Sequence, residues 1–112
     1  MPVMASDPPI VDISFPMRGG SLPLDHGYPL FGALARHLPQ LHEQPGWGVH
    51  PVLGERSGAG VLTLIPASRL KIRLPADRIS DLLPLSSAAL EVDGHQVHLG
   101  FPQILPLTPS AH

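Results

Sequence analysis

The stretch "LPLDHGYPLFGALARHLPQLH", residues 22–42, carries the side chains of this sequence that are best suited to acid–base chemistry. His26 lies at the predicted start of a helix, where the positive end of the helix dipole disfavours a protonated imidazole. A neutral histidine can accept a proton, and the nearby Tyr28 can donate to an oxyanion or stack on a nucleobase. The pattern predicts His26 as a candidate general base. The alternative is structural, with Asp25 as helix cap, His26 solvated and Tyr28 packed on a sheet.

A second pattern, "SRLKIRLP", concentrates positive charge on one strand. Side chains alternate along a strand, so Arg69, Lys71 and Arg73 share one face while the leucines and the isoleucine share the other. Neighbouring cations on that face are about 6.6 to 6.8 Å apart, which is close to the spacing of phosphates in an extended single strand. The stripe predicts a site for an anionic polymer. The alternative is the ordinary solvent face of an amphipathic strand.

Other candidate sites carry weaker signals. His42 and His50 flank Trp47 on turn-rich sequence, where either histidine could join a site, or where the loop simply surrounds a buried tryptophan. The pair in "HQVH" is unsuited to a metal, because residues three apart on a strand point to opposite faces. We therefore predict no metal site and no cofactor.

Composition limits the class of protein. The 112 residues suit one domain with one core, interrupted often by 15 prolines and 11 glycines. Cysteine is absent, which removes disulfides and thiolate nucleophiles. The net charge of −2 argues against coating nucleic acid through bulk charge, so an anionic partner must bind a local patch. Without a leader-like start or an apolar run of about 18 residues, we expect a cytoplasmic protein that does not contact membranes.

The predicted elements alternate between strands and helices. "IVDISFPMRG" reads as a strand, the segment from Pro29 to Leu38 as a helix capped by Asp25, and "LPADRISDLLP" as a second, short helix ended by Pro84. Two strands, "GVLTLIP" and "RLKIRLP", lie between the helices, and Asp93-Gly94 predicts a hairpin after them. This order predicts an α+β fold, of which the ferredoxin-like, split βαβ arrangement is the commonest form: an antiparallel sheet with two helices on one face. We expect flexible tails at residues 1–9 and 108–112 around a single domain of residues 10–107.

Histidine, tyrosine and cations without metal ligands suffice for one reaction in particular, the cleavage of RNA. The 2′-hydroxyl of RNA is the nucleophile, so a protein need only deprotonate it, stabilise the phosphorane and protonate the leaving oxygen. Two other functions remain open. The same stripe would serve a binding module that holds RNA or a protein subunit without cutting, and a small assembly domain would need none of these residues.

The combined order of "VDISFPMRGGSLPLDHGYPLFGALARHLPQLHE", "HPVLG", "SRLKIRLPADRI" and "VHLGFPQILPL" resembles a known family. It is similar to the N-terminal half of the CRISPR-associated endoribonucleases that process pre-crRNA, in the Myxan subtype. The resemblance covers roughly residues 10–109. It implies a ferredoxin-like domain and metal-independent cleavage of CRISPR repeat RNA, leaving a 2′,3′-cyclic phosphate and a 5′-hydroxyl.

The resemblance also implies roles for individual residues. A histidine in or near the first helix often serves this family as the acid–base group; His26 best fits that role, with Tyr28 as helper and His42 as substitute. The RNA would be held by four basic residues: Arg36, Arg69, Lys71 and Arg73. Family members normally continue into a second ferredoxin-like domain with a glycine-rich loop, whereas this sequence stops at "TPSAH". We therefore expect a fragment, a split protein or a natural truncation, with a second-half domain or CRISPR effector subunits as further partners.

Overall fold

The longest strand, β1 (Ile10–Gly19), is the centre of the fold. The computed structural model describes residues 8–44 and 46–106. Alternate side chains of β1 enter the hydrophobic core, as the sequence pattern predicts: Val11, Ile13, Phe15 and Met17. The intervening Asp12 and Ser14 face the other way, yet they are also buried. Both faces of β1 are therefore covered, one by the core and the other by side chains of neighbouring strands.

The remaining elements are short, as the many prolines and glycines predict. In chain order they are β2 (Ser21–Pro23), α1 (Gly27–His37), a first 3-10 helix (Pro39–His42), β3 (Gly48–Val49), β4 (Glu55–Arg56), β5 (Val61–Thr63), β6 (Arg69–Pro75), a second 3-10 helix (Ala76–Leu85), β7 (Ala89–Val92), β8 (His95–Leu99) and β9 (Gln103–Pro106). Within the described ranges, α1 is the only α-helix. No helix there is long and apolar enough to span a membrane.

The strands form two antiparallel sheets. The larger has the order β3-β6-β1-β8-β7, and β9 also pairs with β1. β1 is long enough to hold two partners along one edge, with β9 against residues 11–14 and β8 against residues 17–19. The smaller sheet has the order β2-β5-β4. The α+β class is thus confirmed, with the larger sheet built around β1.

The pairing of β1 with β6 creates a polar face on the larger sheet. Directly paired residues of antiparallel strands point to the same side, and the register pairs Asp12 with Arg73, Ser14 with Lys71 and Pro16 with Arg69. On the opposite side, Leu70, Ile72 and Leu74 of β6 are fully buried. The predicted alternation of "RLKIRLP" is confirmed, and the basic stripe lies on the polar face.

The ends of the helices differ from prediction. α1 begins at Gly27, two residues before Pro29, and His26 rather than Asp25 stands at the N-cap, without a side-chain cap hydrogen bond. The second predicted helix is a 3-10 helix that continues through Pro84 to Leu85. Because a 3-10 helix is a series of tight turns with i→i+3 bonds, it tolerates a proline that would interrupt an α-helix.

The strand predictions are confirmed in part. Val92 pairs with His95 around the Asp93-Gly94 turn, and both turn residues have positive φ, 51° and 83°, as a type I′ hairpin requires. β5 and β6 are separate strands, but they belong to different sheets and do not form a hairpin. The predicted flexible tails lie outside the described residues except for Pro8 and Pro9, and the carbonyl of Pro9 accepts a hydrogen bond from the Ala76 N–H.

Candidate functional site

His26, the predicted general base, lies inside the protein and is only 5% exposed. Its Nδ1 lies 3.0 Å from the Pro23 carbonyl oxygen, and the Val52 N–H donates to its Nε2 at 2.9 Å. Nε2 must therefore be unprotonated and Nδ1 must carry the hydrogen, which makes the ring a neutral imidazole. Both ring nitrogens are occupied by backbone groups. In this arrangement His26 joins the end of β2 to the segment that follows β3.

The other two predicted catalytic residues are on the surface. Tyr28, the second residue of α1, is 91% exposed. His42 is also exposed, and its ring meets Phe31 edge to face with centroids 5.1 Å apart. The structure therefore separates the buried His26 from the solvent-facing Tyr28 and His42, although all three belong to one continuous stretch of sequence.

The predicted RNA-binding residues fall into two places. Arg69, Lys71 and Arg73 share the polar face of β6, whereas Arg36 is exposed in the last turn of α1, where the helix dipole favours a positive charge. The three residues of β6 differ in their contacts. Lys71 is exposed to solvent, and Arg69 donates from Nη1 to the Pro66 and Ser68 carbonyls at 3.3 and 3.2 Å.

Arg73 forms an ion pair with Asp12, the residue opposite it on β1. Its Nε donates to Oδ1 at 3.0 Å and its Nη2 donates to Oδ2 at 3.1 Å. The pKa of Asp12 is lowered from its ordinary value, chiefly by these hydrogen bonds, which outweigh the opposing effect of burial. Asp12 is therefore ionised at neutral pH, and Arg73 is less available to a ligand than the other two cations of the stripe.

His50 is a third member of this cluster. Its backbone N–H donates to the Lys71 carbonyl at 3.0 Å, which continues the β3–β6 pairing by one residue. Its side chain reaches Asp12, with Nε2 3.2 Å from Oδ1. The sequence pattern places His50 only on turn-rich sequence beside Trp47 and gives no partner for it. The contact joins residues 38 positions apart, so only the register of three strands reveals it.

Three adjoining clefts run along the polar face, and Arg69 lines all of them. The first, of about 300 Å³, lies between His50, Lys71 and Arg69. The second and third, of about 460 and 540 Å³, share Arg18 as a further cation. The third also includes His98 and Phe101, and the Phe101 ring is 77% exposed. We call the three clefts together the basic groove.

The basic groove combines features suited to a single-stranded nucleic acid. Arg18, Arg69 and Lys71 supply positive charge, and an exposed phenylalanine offers a flat surface on which a base can stack. Arg18 and Phe101 were missed at the sequence level; Arg18 stands alone in its segment, and Phe101 follows a strand without any pattern. Among the described residues, no group of three or more histidines and carboxylates is arranged to hold a metal ion.

Comparisons with known proteins agree on one family. A family model described as Cas6 Crispr matches residues 11–112. A relative from Myxococcus xanthus (strain DK1622), the CRISPR-associated endonuclease Cas6, is 43% identical over 99 residues, which cover 88% of this chain and 43% of the relative. A solved structure of a CRISPR associated protein Cas6 superposes with a TM-score of 0.69 at 14% identity, covering 90% of this chain and 51% of the other. The chain therefore spans about half the length of these proteins.

Proposed function

Since this chain belongs to the Cas6 family, we propose that it binds CRISPR repeat RNA and cuts it by a metal-independent reaction. The observation that carries this proposal is the basic groove, which gathers positive charge, an exposed aromatic ring and histidines on one face of the sheet. The name of the Myxococcus relative, an endonuclease, supports the proposal of a cutting activity.

The proposed reaction needs no group beyond those that RNA and ordinary side chains provide. The 2′-oxygen bonds to the adjacent phosphorus while its proton passes to a base, and the bond from phosphorus to the 5′-oxygen breaks as that oxygen gains a proton. The products are a 2′,3′-cyclic phosphate and a 5′-hydroxyl. Nearby cations stabilise the extra negative charge on the phosphorane.

From the sequence pattern we keep His26, Tyr28 and His42 as candidates for proton transfer, beside the histidines of the basic groove itself. Tyr28 and His42 are accessible to a bound RNA, whereas His26 can take part only if the RNA-bound protein releases its ring from the Val52 N–H. For RNA binding we propose Arg36 and the stripe of β6. In that stripe Lys71 and Arg69 are better placed than Arg73, because Asp12 already neutralises the Arg73 guanidinium.

We further propose that the larger sheet is ferredoxin-like. The chain passes from β1 through α1 to β3, and in the sheet β6 lies between these two strands. It then passes from β6 through the second 3-10 helix and the β7–β8 hairpin to β9, and β1 lies between β6 and β9. This interleaving supports a split βαβ arrangement. The relatives are about twice as long as this chain, which supports a second-half domain as a partner. The exposed side chains of Leu83 and Ile104 line one apolar cleft, and we propose them as part of the surface that contacts such a domain.

The experiment that tests the function is incubation of the purified chain with CRISPR repeat RNA in EDTA, followed by analysis of the ends of the products. We expect a 2′,3′-cyclic phosphate, and no cleavage of the same sequence made with 2′-deoxynucleotides. RNA binding without cleavage would support the second candidate, a binding module, which the basic groove would also serve. Absence of both binding and cleavage would contradict both functions.

A further inference from the structure

His50 and Asp12 form a pair that resembles the oriented histidines of acid–base catalysts. Asp12 is a buried, ionised carboxylate, and His50 Nε2 lies 3.2 Å from its Oδ1. An ionised carboxylate can only accept a hydrogen bond, so Nε2 carries the hydrogen. The neutral His50 ring then has its lone pair on Nδ1, the nitrogen that can accept a proton. Asp12 thus determines the tautomer and the direction of the ring.

The backbone and the neighbouring strands hold His50 in place. The hydrogen bond from its N–H to the Lys71 carbonyl attaches it to β6, the strand that carries the basic stripe. Its side chain lines the first cleft of the basic groove together with Lys71 and Arg69. Pro51 and the exposed Leu53 form apolar walls of the same cleft. A histidine and two cations therefore line one cleft of about 300 Å³, a space large enough for a phosphodiester.

The charged groups around His50 have different roles. Arg73 already forms two hydrogen bonds to Asp12, so the net charge of the Arg73–Asp12 ion pair is close to zero. Asp12 therefore orients His50 without adding negative charge to the cleft. Lys71 and Arg69 line the cleft itself. A carboxylate facing this cleft would repel a phosphate, but the only one in contact with His50 among the described residues is Asp12, whose charge Arg73 balances.

On this geometry, and resting on the function proposed above, we infer that His50 is a catalytic residue for RNA cleavage and that Asp12 is its positioning residue. His50 Nδ1 accepts the proton of the 2′-hydroxyl as the 2′-oxygen bonds to phosphorus. The bond between phosphorus and the 5′-oxygen breaks, and that oxygen takes a proton from water. The imidazolium returns its proton to solvent, so the reaction consumes no other reagent. Lys71 and Arg69 hold the phosphate.

The decisive variant is His50→Gln. A glutamine can still donate to Asp12, so the fold is retained, but its amide cannot serve as a general base. We expect single-turnover cleavage of repeat RNA to slow by roughly 100- to 10,000-fold, the usual contribution of general acid–base catalysis, while RNA affinity stays within about twofold. His37→Gln, which changes an exposed histidine of α1 outside the basic groove, should cleave at the wild-type rate.

A second variant separates catalysis from structure. His50→Ala removes the ring, and imidazole added to the solution should restore part of the cleavage rate of this variant. Added imidazole would not restore cleavage to a variant that has lost activity because its structure is disturbed. Wild-type cleavage that persists in His50→Gln, or no rescue of a folded His50→Ala, would overturn the inference and leave the proposed function standing. A wild-type chain that binds no RNA or never cleaves would overturn the proposed function and this inference with it.

Discussion

Arg73 and Asp12 face each other across the central strand pair, and the guanidinium donates to both carboxylate oxygens, at 3.0 and 3.1 Å. One carboxylate thereby joins three strands, because it also lies within hydrogen-bond distance of His50 at the end of β3. The pair serves the fold and the candidate site together. It holds β1 and β6 in register and supports the His50 side chain in the first cleft.

The Asp12 pair predicts a specific dependence of stability on pH. The pKa of Asp12 is lower in the folded protein than in the unfolded chain, chiefly because of the hydrogen bonds from Arg73. Its contribution to the free energy of unfolding is therefore fully present above about pH 4 and is lost as the pH falls through the folded pKa. Urea denaturation at several pH values should show that the advantage of the wild type over Asp12→Asn narrows in acid. Glu91→Gln, at an exposed acid of β7, is the matched control, and a constant difference for Asp12→Asn would contradict the prediction.

His26 is predicted to be important for stability whatever its part in catalysis. His26→Ala leaves the Val52 N–H without its buried acceptor, which should lower the free energy of unfolding by about 1 to 3 kcal/mol. His37→Ala, at the exposed last residue of α1, should change the free energy of unfolding by less than about 0.5 kcal/mol. Thermal and urea denaturation of both variants measure the difference. Equal stabilities would show that the ring is not a structural link.

Lys71 and Arg69 are predicted to bind phosphates. Replacing either by alanine should weaken binding of single-stranded RNA and reduce the slope of log affinity against log salt by about 0.7 for each phosphate that the protein no longer neutralises. Arg56→Ala changes a cation on β4, in the smaller sheet, and should leave that slope unchanged. Fluorescence anisotropy across a range of salt concentrations gives both quantities. A weaker affinity with an unaltered slope would argue against binding to a phosphate.

Phe101 is predicted to stack on a base. Phe101 is 77% exposed and lines the third cleft. So exposed a side chain adds little hydrophobic burial to the stability of the fold, so stability does not account for an aromatic residue here. Phe101→Ala should weaken RNA binding by about 1 to 3 kcal/mol, whereas Phe101→Trp should keep most of the affinity. Leu83→Ala removes an apolar side chain of similar exposure, 66%, outside the basic groove and serves as the control. The stacking role would fail if the alanine variant bound RNA as well as the tryptophan variant.

The sequence predicted local features better than long-range ones. Strict alternation identified β1 and the basic stripe, and Asp93-Gly94 identified the hairpin, because each signal lies within a few residues. The second sheet was missed, since its strands are only two or three residues long and are defined by their partners. The extent of the second helix was also missed, because a proline ends an α-helix but not a series of 3-10 turns.

The residues of the candidate site also divide into those that a local sequence pattern predicts and those that depend on long-range strand pairing. The stripe of β6 was predictable, whereas the contact between Asp12 and His50 depends on how β1, β6 and β3 align. Helix-start reasoning indicated a neutral His26, and the hydrogen bonds of its ring agree with that form. The same reasoning gave no information on burial, because whether a helix start faces solvent or the interior is decided by the elements packed against it.

The direction of the basic groove sets the length of RNA that the proposed binding would cover. The groove runs across the strands, from His98 on β8 past β1 and β6 to His50 beside β3. Adjacent strands are about 4.8 Å apart, so three steps cover about 14 Å across the sheet. His98 lies opposite Arg18, whereas Lys71, to which His50 is bonded, lies opposite Ser14. The four residues from Ser14 to Arg18 add about 13 Å along the strands, so the diagonal length is about 20 Å. An extended strand covers that distance in only a few nucleotides. The footprint of this face is consequently short, and oligonucleotides lengthened beyond it should gain little further affinity from the groove itself.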